Sequence, residues 1–291
     1  MLTKEILKQV RQIELKTRGV VNDVFSGEYH SVFKGRGMEF SEVREYQIGD
    51  DIRSIDWNVS ARFGHPFVKI FEEERELTVM LLVDLSGSLL FGSVEKTKQQ
   101  IAAELTAILA FSALKNNDKV GLILFTDSIE KFVPPKKGKS HILRIVREIV
   151  SFEPQGNKTN IKEALEYFNR SVKKRSIAFL ISDFFDNEYE KILSIVSKKH
   201  DLINVMLEDP REIELSNSGL VRFRDPETNG IRYIDTTDKS VREYFDKKIA
   251  ERKSYQNNLF RKNRVDTINI DTSSSYVRPL IDFFKLREKR C

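Results

Sequence analysis

A short loop of oxygen-bearing side chains follows an apolar run of strand length at residues 77–83. Asp84, Ser86 and Ser88 alternate along this loop, and Gly87 allows the tight turn that would bring one carboxylate and two hydroxyls together. Hard divalent cations such as Mg²⁺ prefer oxygen ligands in a near-octahedral arrangement. Two or three side chains cannot complete such a shell, so we expect other loops to contribute.

Two further loops carry suitable oxygens. Thr159 offers a hydroxyl just before a helix-like stretch that begins at Ile161, and Asp183 offers a carboxylate just after the apolar run 177–181. Ligands of open parallel sheets bind at the carboxyl ends of the strands, where strand order reverses. The sequence therefore predicts that the three loops meet at one edge of a sheet.

The predicted sheet rests on runs rich in Val, Ile and Leu, which are typical of strands covered on both faces. They alternate with stretches of helical periodicity, and this alternation predicts an α/β fold with a doubly wound, mostly parallel sheet. A run at 128–133 predicts one antiparallel edge strand, and 220–224 with 231–235 predict a hairpin. The predicted strands are 77–83, 120–125, 177–181, 202–207 and 265–270, and the predicted helices are 95–114, 140–150, 161–172, 188–198, 239–264 and 276–287.

The three loops resemble the metal-ion-dependent adhesion site of von Willebrand factor A domains, and the resemblance covers about residues 77–287. It implies that Asp84, Ser86 and Ser88 bind Mg²⁺ or Mn²⁺, and that Thr159 and Asp183 complete the set, the last often through water. A cation with one directly bound carboxylate stays electrophilic and can accept an acidic side chain of a partner. The resemblance thus implies protein binding and no catalytic residues.

Two residues depart from the pattern of that family. Phe184 follows Asp183 where many such domains have glycine, and Lys158 places an ammonium beside Thr159.

A second match, Asp271-Thr272-Ser273-Ser274-Ser275, has the same spacing after the last predicted strand. No later strand and loop remain to flank it, so we expect it near a sheet edge, with Ser275 as a helix N-cap.

The segment before the sheet is of a different kind. It contains Gly35-Arg36-Gly37-Met38-Glu39-Phe40, the run from Arg44 to Asn58, and Ala61-Arg62. This pattern resembles the bacterial proteins known as domain of unknown function 58, whose genes commonly lie beside a MoxR-type AAA+ ATPase. The resemblance implies a MoxR-type partner in protein remodelling or assembly. We expect residues 1–76 to form a signature segment that packs on an A-like domain at 77–291, with a helix at 2–16.

The charged residues of this segment predict an ion-pair network between subdomains, because planar arginine–carboxylate pairs fix relative orientation well. Direct contact of Arg53 or Trp57 with a ligand is the alternative. The network would use Arg44, Arg53 and Arg62 against Asp50, Asp51 and Asp56, with Tyr46, Ile48, Ile55 and Trp57 as apolar anchors, and the candidate interaction set is Arg44, Tyr46, Gly49, Asp50, Arg53, Asp56, Trp57 and Arg62.

Composition narrows the function classes. The only cysteine is Cys291, which excludes an intramolecular disulfide and a cysteine-based zinc site. The first twenty residues are too charged for the apolar part of a signal peptide, and no apolar run reaches the roughly 18 residues of a membrane helix. We therefore expect a cytoplasmic protein.

Two other functions remain open. A Mg²⁺-dependent phosphatase of the haloacid dehalogenase kind also has an aspartate after its first strand, but Ser86 stands where that chemistry needs a second aspartate. Residues 239–264 carry nine basic and three acidic side chains, which would suit nucleic acid. The same stretch also fits an amphipathic surface helix with Val241, Tyr244, Phe245, Ile249 and Leu259 towards the core.

Overall fold

A computed structural model describes residues 10–15, 17, 21, 37–74 and 77–290. They divide into a smaller unit, the described part of Phe33–Leu77, and a main unit that contains Thr78 onwards. The start of the predicted helix 2–16, Gly35, Arg36 and Cys291 lie outside the described residues. The division at residue 76 and the packing of the first segment on the main domain stay predictions.

The main unit contains a six-stranded sheet in the order β10–β7–β6–β3–β4–β5. Five strands are parallel and β5 pairs antiparallel with β4 at one edge. The predicted fold class, α/β with a doubly wound, mostly parallel sheet and one antiparallel edge strand, is therefore confirmed. The strands are β3 (Thr78–Asp84), β4 (Lys119–Phe125), β5 (Ile129–Lys136), β6 (Ile177–Ser182), β7 (Asp201–Glu208) and β10 (Asp266–Asp271).

Burial explains why these runs form central strands. Every residue of β6 is buried, as are all residues of β3 after Thr78. A strand with apolar side chains on both faces needs cover on both sides, which the crossover helices supply. The helices that follow β3 in the main unit are α2 (Lys98–Lys115), α3 (Lys139–Ser151), α4 (Ile161–Ser171), α5 (Glu190–Lys199), α6 (Pro210–Ile213), α7 (Lys239–Lys262) and α8 (Val277–Glu288).

A separate two-stranded hairpin leaves the main sheet after β7. Its strands β8 (Leu220–Arg224) and β9 (Ile231–Asp235) pair antiparallel, as predicted. The connecting turn is closed by a hydrogen bond from the Asp225 amide to the Gly230 carbonyl, with an N···O distance of 2.8 Å. Both strands are largely exposed, so the hairpin gains little from burial.

The smaller unit is a two-stranded sheet with a short helix. Strand β1 (Gly37–Glu45) pairs antiparallel with β2 (Phe67–Glu74), and α1 (Trp57–Phe63) lies between them in the sequence. Asp56 caps α1, because its carboxylate accepts hydrogen bonds from two amides of the first turn.

Helix α7 is amphipathic, but its buried face differs from the prediction. Tyr244 is 65% exposed, so its predicted orientation towards the core is wrong. Val241, Phe245, Ile249 and Leu259 are half-buried, and the buried residues of the helix are Gln256 and Phe260. The core contact therefore lies in the C-terminal half, where the Phe260 ring packs on Phe184 with centroids 5.4 Å apart.

Within the part of the chain that the structure describes, none of the helices combines the length and the apolar character needed to cross a membrane.

Candidate functional site

Asp84 is the last residue of the central strand β3 and its side chain is fully buried. One carboxylate oxygen accepts the Ser86 amide at 2.8 Å and the other accepts the Ser182 hydroxyl at 2.6 Å. Burial, with a smaller contribution from the charge of Asp183, raises the pKa of Asp84 to about 7. The carboxylate is thus held rigidly in a place that is short of compensating positive charge.

The two serines of the first loop lie beside each other. The Ser86 and Ser88 hydroxyl oxygens are 3.1 Å apart and both residues are buried. The Gly87 amide donates to the Asn157 carbonyl at 2.7 Å, which joins this loop to the one that carries Thr159. A Cβ atom at Gly87 would lie 2.6 Å from the Pro226 carbonyl oxygen, so glycine is required by close approach here.

Thr159 is half-buried just before helix α4. Its hydroxyl donates to a carboxylate oxygen of Glu227 at 2.9 Å. The next residue, Asn160, fixes the start of the helix, since its side chain accepts the Glu163 amide and its own amide donates to the Thr126 carbonyl. The Thr159 hydroxyl therefore has a set position, and a carboxylate from the β8–β9 hairpin lies next to it.

Asp183 lies at the end of β6 and is paired with a buried lysine. One carboxylate oxygen is 2.7 Å from the Lys98 ammonium, and the other accepts the Phe185 amide at 3.2 Å. The same ammonium lies 2.7 Å from Glu212, whose pKa is raised chiefly by burial. Because the Lys98 ammonium already pairs with the Asp183 carboxylate, Asp183 would contribute to a bound cation through water better than by direct coordination.

The lysine at the site is not the one that the sequence indicated. Lys158, next to Thr159, is exposed, whereas Lys98 is fully buried. Lys98 precedes Ile101, Ala102 and Leu105 on the buried face of α2. The helical periodicity places Lys98 on the same face as these apolar residues. This sequence pattern could have indicated that the lysine is buried.

Phe184 adopts the left-handed conformation that the missing glycine would favour, with a φ of 55°. Its side chain is 1% exposed and packs on Tyr189 and Phe260. Its carbonyl accepts the Gln256 side-chain amide at 2.9 Å. The aromatic packing offsets a backbone cost of about 1 kcal/mol for a non-glycine residue in this region.

The donor set fits a hard cation such as Mg²⁺ or Mn²⁺. Within the described residues no three or more His, Cys, Asp or Glu side chains converge, so hydroxyls must supply part of any shell. Neighbouring oxygens of an octahedron with metal–oxygen distances of about 2.1 Å are about 3 Å apart. The Ser86–Ser88 and Thr159–Glu227 oxygen pairs are hydrogen-bonded at 3.1 and 2.9 Å, so a cation could bind either pair without moving its oxygens apart.

Hydrogen bonds thus connect the loops that carry all five predicted metal ligands. The Ser182–Asp84 bond joins the first loop to the end of β6, and the Gly87–Asn157 bond joins it to the Thr159 loop. The residues that the sequence did not indicate are Ser182, Lys98, Glu212 and Glu227.

The candidate interaction residues of the smaller unit form only part of the predicted ion-pair network. Arg44 makes a bidentate pair with Asp50, at 2.8 and 2.7 Å. Asp56 lies 3.5 Å from Lys69, and Asp51 accepts the Arg53 amide. The other candidates are distributed as follows: Tyr46 and Ile55 are half-buried, and Ile48, Gly49, Arg53, Trp57 and Arg62 are exposed.

Ile48 and Trp57 were predicted to be apolar anchors, and that prediction is wrong for the structure described. Ile48 is fully exposed and Trp57 is 68% exposed. The reason is local: Trp57 is the first residue of α1, where Asp56 caps the helix and the ring points outwards. The role of this surface in binding stays a prediction.

Several known proteins are similar to this chain. The uncharacterized protein Rv1480 of Mycobacterium tuberculosis is 27% identical over 283 residues, which cover 96% of this chain and 89% of that protein. The crystal structure of the hypothetical protein BatB from Bacteroides thetaiotaomicron matches 73% of this chain and 99% of that one, with 17% identity and a TM-score of 0.48. Proximal thread matrix protein 1 of the mussel byssus, solved with a zinc-occupied MIDAS motif, matches 45% and 38% of the two chains, with 18% identity and a TM-score of 0.38.

The family model described as "Protein of unknown function DUF58" matches residues 42–255, which include the smaller-unit signature from Arg44, the Asp84 loop, Thr159 and Asp183. The chain belongs to the DUF58 family.

Proposed function

We propose that the main unit is a non-catalytic protein-binding module that holds Mg²⁺ or Mn²⁺ between Asp84, Ser86, Ser88 and Thr159, with Asp183 acting through water. The supporting observation is the bond between Asp84 and Ser182, which fixes a buried carboxylate at the carboxyl end of the central strand. A cation there would relieve the repulsion between Asp84 and Asp183. It would also keep a coordination position for an acidic side chain of a partner.

The metal part is tested by thermal unfolding with and without Mg²⁺ or Mn²⁺. A cation at a hundredfold excess over its dissociation constant stabilises the fold by about 2.7 kcal/mol. We expect Asp84→Ala to abolish this metal-induced increase in Tm, because the carboxylate of the shell is lost. Each variant is compared with its own metal-free curve, since Asp84→Ala also removes the acceptor for Ser182.

The matched control is Asp271→Ala, which alters the same sequence pattern at the end of β10. This variant should keep the full metal-induced increase in Tm. An unchanged Tm of the wild-type protein at saturating Mg²⁺ and Mn²⁺ would refute the metal part of the proposal.

For the partner, we propose a MoxR-type AAA+ ATPase and its clients in the cytoplasm, as the family resemblance implies. The test is a pull-down with wild-type protein and Asp84→Ala, each with Mg²⁺ and with EDTA. Capture of the ATPase only in the sample that contains wild-type protein and Mg²⁺ would support the proposal. Equal capture in all four samples would show that the cation site does not serve this partner.

A further inference from the structure

The tip of the β8–β9 hairpin lies against the proposed cation site. The Pro226 carbonyl oxygen is so close to Gly87 that a Cβ atom there would be 2.6 Å from it. The next residue, Glu227, accepts the Thr159 hydroxyl at 2.9 Å. Within Asp225–Gly230, Glu227 is half-buried and the other residues are exposed, so the tip places one carboxylate beside Thr159.

Local hydrogen bonds hold the tip in this conformation. The Asp225 carboxylate accepts the Glu227 amide at 2.9 Å and also accepts the Thr228 hydroxyl. The Asn229 amide donates to the Asp225 carbonyl at 2.8 Å. The turn's own hydrogen bonds therefore fix the backbone at Glu227, and the bond to Thr159 holds its side chain.

The remainder of the hairpin is only lightly packed. Leu220 and Tyr233, one on each strand, are 71% and 66% exposed. At its base, the Thr236 amide and hydroxyl bond to the Gly219 carbonyl, and Arg242 of α7 donates to the Thr236 carbonyl. A hairpin that is fixed at its base but exposed along its strands can lift its tip without disturbing the main core.

We propose that Glu227 is this chain's own carboxylate ligand at the cation site, and that the hairpin tip covers the site until an acidic side chain of a partner replaces it. The inference rests on the proposed function. The Glu227 carboxylate is hydrogen-bonded at 2.9 Å to the Thr159 hydroxyl, a proposed ligand, so a cation bound to Thr159 would have this carboxylate beside it. A bound cation would also balance the negative charge that Glu227 brings towards Asp183.

The test uses Mn²⁺ alone with the full chain, in wild type, Glu227→Gln and Asp84→Ala. Water-proton relaxation counts the exchangeable waters on Mn²⁺, and amide hydrogen exchange follows residues 227–230. We expect Glu227→Gln to bind Mn²⁺ about tenfold more weakly, because a charged ligand is lost. Its Mn²⁺ should carry more water, and Mn²⁺ should slow exchange of the tip in the wild type only.

Glu214→Gln is the matched control, since it removes an exposed carboxylate close to the hairpin in sequence. It should behave as the wild type does in all three measurements. If the wild type binds Mn²⁺ but Glu227→Gln has the same affinity, water count and tip exchange, the hairpin inference fails while the proposed function stands. If neither the wild type nor Glu227→Gln binds Mn²⁺, both fail.

Discussion

Two loops of the main unit have the same aspartate-x-serine-x-serine spacing and the same local turn. The Ser86 amide donates to Asp84 at 2.8 Å, and the Ser273 amide donates to Asp271 at 2.7 Å. Asp84 is fully buried and also bonded to Ser182 of the neighbouring strand, whereas Asp271 is exposed and bonded within its own loop. The sequence pattern therefore encodes the turn, and the position in the sheet decides what surrounds it.

The difference follows from strand order. Strand β3 lies between β4 and β6, so Ser182 of β6 reaches Asp84 and the Phe125 carbonyl of β4 accepts the Leu85 amide, while β10 is an edge strand with β7 as its partner. The expected sheet-edge position of the second loop is confirmed. The predicted N-cap role of Ser275 is wrong, since Tyr276 occupies the N-cap position of α8 without a side-chain capping bond, and the Ser275 hydroxyl accepts the Val277 amide only at 3.4 Å.

The largest loss of stability is expected when the buried Phe184 side chain, which packs behind the first loop, is removed. Phe184→Gly relieves the left-handed backbone but deletes a buried phenyl ring, a loss of about 3 to 5 kcal/mol. We expect a net loss of about 3 kcal/mol in the free energy of unfolding, measured in urea. Unfolding within 0.5 kcal/mol of the wild type, on the order of a neutral surface change, would contradict this account.

Acid titration tests a group that lies away from both loops. The loops follow the carboxyl ends of their strands, whereas His200 lies at the amino end of β7. His200 is buried just before β7, where its ring contacts Ser176 at 2.9 Å and none of the described residues bonds its Nε2. Burial, followed by the charges of Lys199 and Arg175, lowers its pKa from 6.5 to about 4. The fold thus favours the neutral ring.

This His200 contribution to stability is complete above about pH 6.5 and is lost as the pH falls towards 4. We expect a loss of roughly 2 kcal/mol over that range, and His200→Asn should flatten it. Urea unfolding at several pH values measures the slope. An equal slope in wild type and His200→Asn would assign the acid sensitivity to other groups.

The central positions of the two loops can be exchanged directly. Gly87→Ser gives the first loop the serine that Ser274 supplies in the second, and its Cβ would collide with the Pro226 carbonyl. We expect Gly87→Ser to destabilise the protein by about 1 to 2 kcal/mol and to expose the hairpin tip to amide exchange. Ser274→Gly should change stability by less than about 0.5 kcal/mol, because Ser274 is exposed. Equal losses of stability for Gly87→Ser and Ser274→Gly would mean that the position in the sheet does not cause the difference between the two loops.

The smallest expected effect concerns the hydroxyls that bind each aspartate. Ser182→Ala removes the donor to Asp84 and the acceptor of the Phe184 amide, both in the buried interior. We expect a loss of about 1 kcal/mol, against less than about 0.5 kcal/mol for Ser273→Ala. Parallel urea titrations of the two variants measure the difference. A larger loss for Ser273→Ala than for Ser182→Ala would show that burial does not determine the size of the loss.

The periodic parts of the fold were predictable because each strand and helix has its own apolar pattern. The hairpin follows from Asp225, Asn229 and Gly230, which favour a turn between the short runs 220–224 and 231–235. The five predicted ligands were found by combining three loops with the rule for parallel sheets. Their chemical roles stay predictions.

What could not be predicted is the long-range pairing. Lys98 and Glu227 are 85 and 68 residues from their partners Asp183 and Thr159. The periodicity of α2 could indicate that Lys98 is buried but not which carboxylates it faces, and a glutamate in a turn carries no periodic signal. Only the packing of α2 and the direction of the hairpin decide that these two side chains face the site.

The tethered Glu227 has a consequence for selectivity. A ligand attached to its own site by a short, folded segment acts at an effective concentration in the millimolar range. Free glutamate or a single acidic side chain would have to compete against that concentration and would gain little occupancy. A partner that also binds surface beyond the cation would overcome the competition from Glu227. The hairpin would therefore favour partners with an extended interface over isolated carboxylates.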